Sequence, residues 1–563
     1  MRDLTQKPAT DSVLPASEVE NDQTELLLDE DRFEGDPALQ AAIKNNAPDH
    51  QAELESIGTR FASARAQQLA VDANSFPPQL STLDRRGQPE TKLAFHPAWH
   101  ELMAMNIEAG AISRSWHAEG HGSYTARAAQ MYLTAQTEAG HQCPISMSHG
   151  AIPVLRRHQD NVPEIGEIWL PRMLSQQYDP SDAPADAKQG LLLGMGMTEK
   201  QGGSDIRSNR TAAEPIGQGG AGQRYLLNGH KWFFSAPQCD GFLVTAVADH
   251  GAGCFLVPRL KSDGSPNGIH PRRLKDKLGN RSNASSEVDI VKAEGWLLGD
   301  EGRGVAEIIE MATHTRMDCV LATAGIQRRA LCIAMNHSND RKVFGKQLIK
   351  QPLMTNVLAS LALESHATTA LALWLATLFE PSASPEDRSL GRLLVAATKY
   401  HVCKGGAGFV AETMEVLGGN GYVEDWELAR LYREMPLLSI WEGSGNIMCL
   451  DVIRSIAAEP TALAELSRQL DSGRGGIAAF DQAADLAVAG LETPDPSQAR
   501  RMTHQLIVTL QALMLLRSDQ SEIAEAWCQF RLGRASVGLP SYGTLPAGVD
   551  PEQILAAVVP AYH

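Results

Sequence analysis

Three segments of this 563-residue chain carry residue types suited to chemistry. In Ser439-Ile440-Trp441-Glu442-Gly443-Ser444-Gly445-Asn446-Ile447 a carboxylate sits beside Trp and Ile, just ahead of Gly-Ser-Gly. An apolar setting raises a carboxyl pKa and suits the group to proton abstraction. The plainer reading makes Ser444 a helix N-cap, with Glu442 in the loop leading to it. In Met195–Asp205 (MGMTEKQGGSD) a strand gives way to a Gly-rich loop bearing Thr198 and Ser204. Such a loop lets a flat ring or a phosphate approach free backbone amides, and an ordinary β-turn reads the same. In Asn228–Ser235 (NGHKWFFS) three aromatics run in a row. Strand alternation puts Trp232 and Phe234 on one face, with Phe233 and Ser235 on the other. Phe233 and Ser235 can then pack on and hydrogen-bond one ring, although three aromatics in a strand are more often core.

Two louder patterns read as structure. Gly217-Gln-Gly219-Gly-Ala-Gly222 spells G-x-G-x-x-G, but it follows Pro215 and precedes a strand, where a dinucleotide site would open a helix. It is expected to be a hairpin loop. His117 and His121 are four apart, but Gly120 and Gly122 argue for a turn, and no metal site is expected. The eight cysteines form no C-x-x-C pair and read as reduced thiols of a cytoplasmic protein. The apolar stretch near 366–379 is shorter than a bilayer span, and no signal peptide is expected from the acidic start.

The elements that must position these segments follow from periodicity. Residues 1–40 are polar and acidic and read as a flexible or surface-draped arm. Residues 41–189 are expected to form an N-terminal helical domain, with apolar residues three and four apart over 97–112 and 124–137. Residues 190–300 change to short β-prone runs split by Gly, Asp, Asn and Pro, the pattern of a small antiparallel β-barrel. Helical periodicity returns over 305–336, 352–377 and 387–417, giving a bundle domain at 301–455. A further helical domain covers 456–563. The fold class is therefore α+β, mostly α, without the βαβ alternation of a Rossmann fold.

Taken together and in this order, the three segments resemble the acyl-CoA dehydrogenase superfamily of flavoproteins. Further matching runs are Lys275–Arg281, Leu298–Gly304, Arg341–Gly345 (RKVFG) and Leu417–Tyr422 (LGGNGY). MTEKQGGSD, GHKWFFS, LYREMP and SIWEGSGNIMCLD are similar to the AidB-like branch, the alkylation-response flavoproteins. The resemblance implies an acyl-CoA dehydrogenase-like fold: an N-terminal helical domain, a middle antiparallel β-barrel, a C-terminal four-helix bundle and an extra C-terminal helical domain. It implies FAD between barrel and bundle, contacted by Met197, Thr198, Ser204, Phe233, Ser235, Gly418, Gly419, Ser444 and Asn446. Arg341 and Phe344 would reach the FAD of a neighbouring subunit, which implies a homo-oligomer, a tetramer in this family. Glu442 matches the catalytic base. The implied reaction removes an α-proton and a β-hydride from a short or branched acyl-CoA thioester.

The chain departs from the family pattern at Lys200, at Ser235-Ala236, at Gln351-Pro352 and at Glu415. These changes bear on the acyl and CoA pockets more than on FAD, most of whose contacts use backbone. The branch also implies a second class of function, DNA binding through the C-terminal domain during alkylation stress, with weak or vestigial dehydrogenase activity. Charge weighs against it. The chain has 50 basic and 67 acidic residues, a formal −17, and residues 455–563 hold 7 basic and 12 acidic residues with no Lys. DNA affinity would then rest on Arg500, Arg501, Arg517, Arg531 and Arg534 gathering on one face.

Overall fold

The computed structural model describes residues 23–117, 121–518, 520–533, 542, 544–546 and 548–562. It divides into two compact units. One comprises Met1–Gln68, Glu119–Thr137 and Cys319–His563, and the other Leu69–Ala118 and Glu138–Asp318. This cut differs from the linear division expected from sequence, because both units are built from separated stretches of chain.

The second unit holds the barrel. Its strands are β1 (Gln79–Leu83), β2 (Pro89–Ala94), β3 (Leu193–Thr198), β4 (Ala212–Pro215), β5 (Arg224–Ser235), β6 (Gly241–Ala248), β7 (Gly251–Pro258), β8 (Ile269–Leu274) and β9 (Ser285–Leu298). The pairings β3–β5, β5–β9, β9–β7, β7–β6 and β6–β3 close a ring, with β4 and β8 added to it. Closure leaves the ring strands no free edges. The pairs are antiparallel except β3–β6 and the single β4–β6 contact, which run parallel, so the expected antiparallel barrel is a mixed one. The Gly217–Gly222 run lies between β4 and β5 as a hairpin loop, with Gly217, Gly219, Gly220 and Gly222 all at positive φ.

Two features of this unit depart from the expected pattern. β1 and β2 form a hairpin inside the stretch read as helical. Its residues are almost all exposed, so no apolar alternation marks it. β5 carries a register shift against β9 between Lys231 and Phe234. A bulge re-aims side chains, and here it breaks the expected face assignment. The Lys275 ammonium sits 3.4 Å from the Trp232 ring centre and 4.7 Å from that of Phe233, reaching both rings. Phe234 alone is fully buried, while Phe233 is 49% exposed.

The other unit is helical. The helix Pro352–Thr377 starts on its proline, and Pro385–Val416 starts behind a Ser384–Asp387 capping box. The second ends where Gly418 takes φ +61°, a left-handed stop. Pro352–Thr377 is long and apolar enough to cross a membrane by length and composition, which corrects the short span read from sequence. Its most apolar window is 83% buried inside the protein, the position of a core helix. The long helix Gly304–Asp340 supplies Arg328 and Arg329 to this unit. A small hairpin, β10 (Lys342–Val343) and β11 (Lys346–Gln347), follows it. The segment 456–563 forms further helices, including Pro460–Asp471, Ala478–Glu492, Ala499–Leu516 and Pro551–Val558.

The acidic arm is corrected for its described part. Arg32 is buried and donates to Glu30 at 2.9 Å and to Thr137 Oγ1 at 2.7 Å. The fully buried Arg329 donates to Leu27 O at 2.7 Å and pairs with Glu30 and with Glu427. Asp36 accepts from the Tyr132 hydroxyl at 2.5 Å. The composition that reads as solvated supplies counter-charges to buried arginines. Residues 1–22 lie outside the described part.

Candidate active site

In the barrel unit the residues expected around a flavin fall on β3, β5 and the loop after β3. Thr198 ends β3 and pairs with Phe233 of β5, while Met195 pairs with Ser235. Gly196 is required there, since a Cβ would lie 2.5 Å from the Phe234 ring. The loop turns back through Glu199 N to Gly202 O at 2.8 Å. Asn209 Nδ2 holds Met197 O at 2.7 Å. Ser204 sits exposed at the loop tip, and Thr198 and Ser235 are half-buried.

The anchor of this loop is a buried ion pair between two residues, Glu199 and Lys231, whose sequence motifs give no sign of the pairing. Glu199 Oε1 accepts from Lys231 Nζ at 2.8 Å and from Thr211 Oγ1 at 2.6 Å. Its Oε2 accepts from Arg210 N at 2.7 Å. Lys231 also donates to Thr245 O at 2.7 Å. Burial pushes the Glu199 carboxyl up, but the Lys231 ammonium and the surrounding donors outweigh it and bring it down to about 2. Burial lowers the Lys231 pKa as well. The paired acid and base stitch the loop to β5 and β6.

A second buried carboxylate in this unit, Glu138, accepts from Ser282 Oγ at 2.8 Å, Asn74 Nδ2 at 3.0 Å and the His141 backbone N–H at 2.8 Å. Burial opposes its charge, yet the His141 ring and these donors hold it at about 2. No sequence signal short of its surroundings marks it.

In the helical unit Glu442 lies at the junction of two helices, Glu427–Ile440 and Gly445–Ala458. Its backbone takes φ +56° and Gly443 follows at φ +105°. The Gly443 carbonyl accepts from Lys399 Nζ at 2.7 Å, and Lys399 is 1% exposed. Ser444 occupies the expected N-cap position, but its side chain makes no capping bond. Its hydroxyl and the first amides of the helix are left available. Asn446 Oδ1 accepts from Arg500 Nε at 2.8 Å, and the Arg500 guanidinium lies 5.9 Å from the Tyr400 ring centre. Gly418 and Gly419 open the turn Gly418–Tyr422, and a Cβ on either would meet nothing within 4 Å.

Phe344 and Gly345 join β10 to β11 with φ +48° and +77°, a left-handed two-residue turn. Phe344 is 98% exposed. Arg341 precedes this hairpin.

Of the four described arginines among the five, one lies in the interior and not on the surface. Arg531 is 6% exposed, with Nε 3.6 Å from Glu364 Oε2 and its guanidinium 5.6 Å from the Trp527 ring centre. This corrects its expected place in a surface patch: it follows the helix Ser521–Trp527 directly into the apolar interior. Arg500 is engaged with Asn446. Arg517 donates to Gln469 Oε1 at 2.6 Å and to Ser472 Oγ at 2.8 Å. Arg501 is exposed. Arg534 lies outside the described residues.

Comparison with known proteins accounts for most of the chain. Residues 22–180 match the adaptive response protein AidB N-terminal domain, 194–292 the acyl-CoA dehydrogenase middle domain and 302–457 the acyl-CoA dehydrogenase C-terminal domain. The AidB protein of Escherichia coli K12 is 45% identical over 480 residues, covering 85% of this chain and 87% of that protein. Acyl-CoA dehydrogenase family member 11 of Caenorhabditis elegans is 29% identical over 80% of this chain and 74% of its own. Among solved structures, C. elegans ACDH-11 in complex with C11-CoA superposes with a TM-score of 0.81 at 24% identity, over 93% of this chain and 94% of that one. An acyl-CoA dehydrogenase from Bacillus anthracis complexed with FAD gives 0.66 at 16% identity, over 89% of each chain. These two structural likenesses establish the fold, and the sequence relationship establishes the lineage: the chain belongs to the acyl-CoA dehydrogenase family, as an AidB-like member.

Proposed function

We propose that this protein is an FAD-dependent acyl-CoA dehydrogenase-type oxidoreductase acting on a short or branched acyl thioester, with Glu442 as the base. The observation that carries the reading is the backbone of Glu442. A non-glycine residue in the left-handed region costs about 1–3 kcal/mol, and Gly443 stands next to it as the natural occupant of such a position. Strain of this kind is kept where a side chain must be aimed.

The residues present fit FAD. Phe233 offers a half-exposed ring on the β5 bulge, Gly418-Gly419 leave backbone open, and Ser444 heads a helix whose first amides lack a side-chain cap. Helix starts of this kind favour anionic groups. When bound, FAD supplies the acceptor for the β-hydride. The chain's own part is to orient the thioester, take the α-proton on a Glu442 carboxylate oxygen and place N–H donors at the thioester oxygen, where negative charge develops.

Exposed Phe344, Leu353 and Tyr422, at 98%, 82% and 81%, favour an oligomer, by family a tetramer, in which such side chains are covered. Eight buried free cysteines fit a cytoplasmic setting. The DNA-binding alternative loses support from the burial of Arg531.

The test is Glu442→Gln, an isosteric change. The variant is expected to keep FAD and to lose bleaching of the flavin by every member of an anaerobic acyl-CoA panel that bleaches the unmodified protein. Dehydrogenase turnover retained in the variant sinks the assignment.

A further inference from the structure

One buried charge in the helical unit lacks a counter-ion. Lys399, in the helix Pro385–Val416, is 1% exposed, and its ammonium donates to Gly443 O at 2.7 Å. Among the described residues it forms no ion pair. A buried ammonium is normally paired with an anion, and this one has spare N–H donors. The neighbouring groups do not supply the anion. Burial pushes Tyr400 and Cys403 of the same helix, and Cys449 of Gly445–Ala458, up and keeps them neutral. Arg500 of Ala499–Leu516 is itself a cation. His401 and His504, whose rings lie 5.0 Å apart, are held neutral by burial. The carboxylate on the gripped segment is Glu442, directly before Gly443.

We propose that Lys399 is a positioning residue for Glu442: its ammonium fixes the Gly443 carbonyl, which sets the left-handed turn that aims the Glu442 carboxylate. This rests on the reading of Glu442 as the base. The hydrogen bond acts on the aim of the carboxylate. Losing it frees the Gly443 carbonyl, lets the turn at Glu442 relax and leaves the base misaimed.

The test uses the full-length, FAD-loaded protein and acetoacetyl-CoA, whose acidic α-protons make enolate formation visible by absorbance across pH. FAD content is read separately from the flavin spectrum. Lys399→Met, which removes the donor to Gly443 O, is expected to lower enolate formation about tenfold or more at full FAD content. Lys399→Arg, which keeps a donor there, is expected to restore most of it. Enolate formation in Lys399→Met equal to that of the unmodified protein, or a loss in Lys399→Arg as large as in Lys399→Met, at full FAD content, overturns the proposal. Enolate formation by Glu442→Gln equal to that of the unmodified protein instead overturns the base reading, and this inference falls with it.

Discussion

Replacing Glu199 with Gln separates the loop that follows β3 from the strand it is stitched to. Glu199 and Lys231 are 2% and 1% exposed, and their 2.8 Å contact is reinforced by donors from Thr211 and Arg210. In the variant Lys231 keeps the Thr245 carbonyl, but its charge is left in the interior without a partner. Removing one member of such a pair costs about 3–5 kcal/mol. Linkage gives a consistent bound. A carboxyl brought from 4.5 to about 2 corresponds to about 3 kcal/mol, and the lowered Lys231 pKa offsets part of it. A urea titration at neutral pH is therefore expected to show a loss of about 3 kcal/mol or somewhat more, together with weaker FAD retention as the loop loosens. The double variant Glu199→Leu, Lys231→Met is expected to recover most of the stability, because two apolar groups need no counter-charge. The sign with pH is fixed. Because the Glu199 pKa is depressed on folding, its stabilisation is complete above 4.5 and is lost as pH falls towards about 2. The variant lacks that part of the acid response. A single-variant loss below about 1 kcal/mol, or a double variant less stable than the single, refutes the reasoning.

Three other changes give distinct outcomes. Phe344→Gly relieves a left-handed non-glycine residue, worth about 1 kcal/mol, yet is expected to weaken the oligomer, read together by thermal unfolding and size-exclusion chromatography. Arg500→Leu frees the Asn446 side chain and is expected to weaken FAD binding about fivefold, the loss of about one hydrogen bond, measured by fluorescence of released FAD; Arg501→Leu is expected to leave it unchanged. Arg531→Met breaks a buried charge contact with Glu364 and is expected to lower stability by about 3 kcal/mol, while leaving the salt dependence of any DNA binding untouched.

The domain order was legible because helical and strand periods alternate in long blocks. Pro352–Thr377 matches the expected helix at both ends, since a proline opens it and apolar residues recur along its whole length. The candidate site was legible as a set of motifs, but not as connections. Nothing local says that Glu199 and Lys231 find one another across 32 positions, or that Arg500 reaches back 54 positions to Asn446. The bulge at Trp232–Phe233 escapes alternation because a register shift is set by the neighbouring strands. The β1–β2 hairpin escapes because its residues face solvent. The acidic arm was misread for a related reason: composition reports charge, while burial depends on whether a partner waits elsewhere.

The interleaving of the two units bears on synthesis. Glu30 and Arg329 are partners across 299 residues, and Leu133 O and Thr137 meet Arg32 from about a hundred residues further along the chain. A nascent chain that has just completed the barrel strands at Leu298 therefore carries its first helices and the stretch Ser123–Ala135 without the helices of Cys319–His563 that complete their unit. Long-range closure of this kind is slow and leaves apolar faces open to aggregation. The barrel unit cannot be expressed as one unbroken piece of sequence. A fragment ending near residue 318 is expected to demand chaperone capacity that the whole chain, once released, does not.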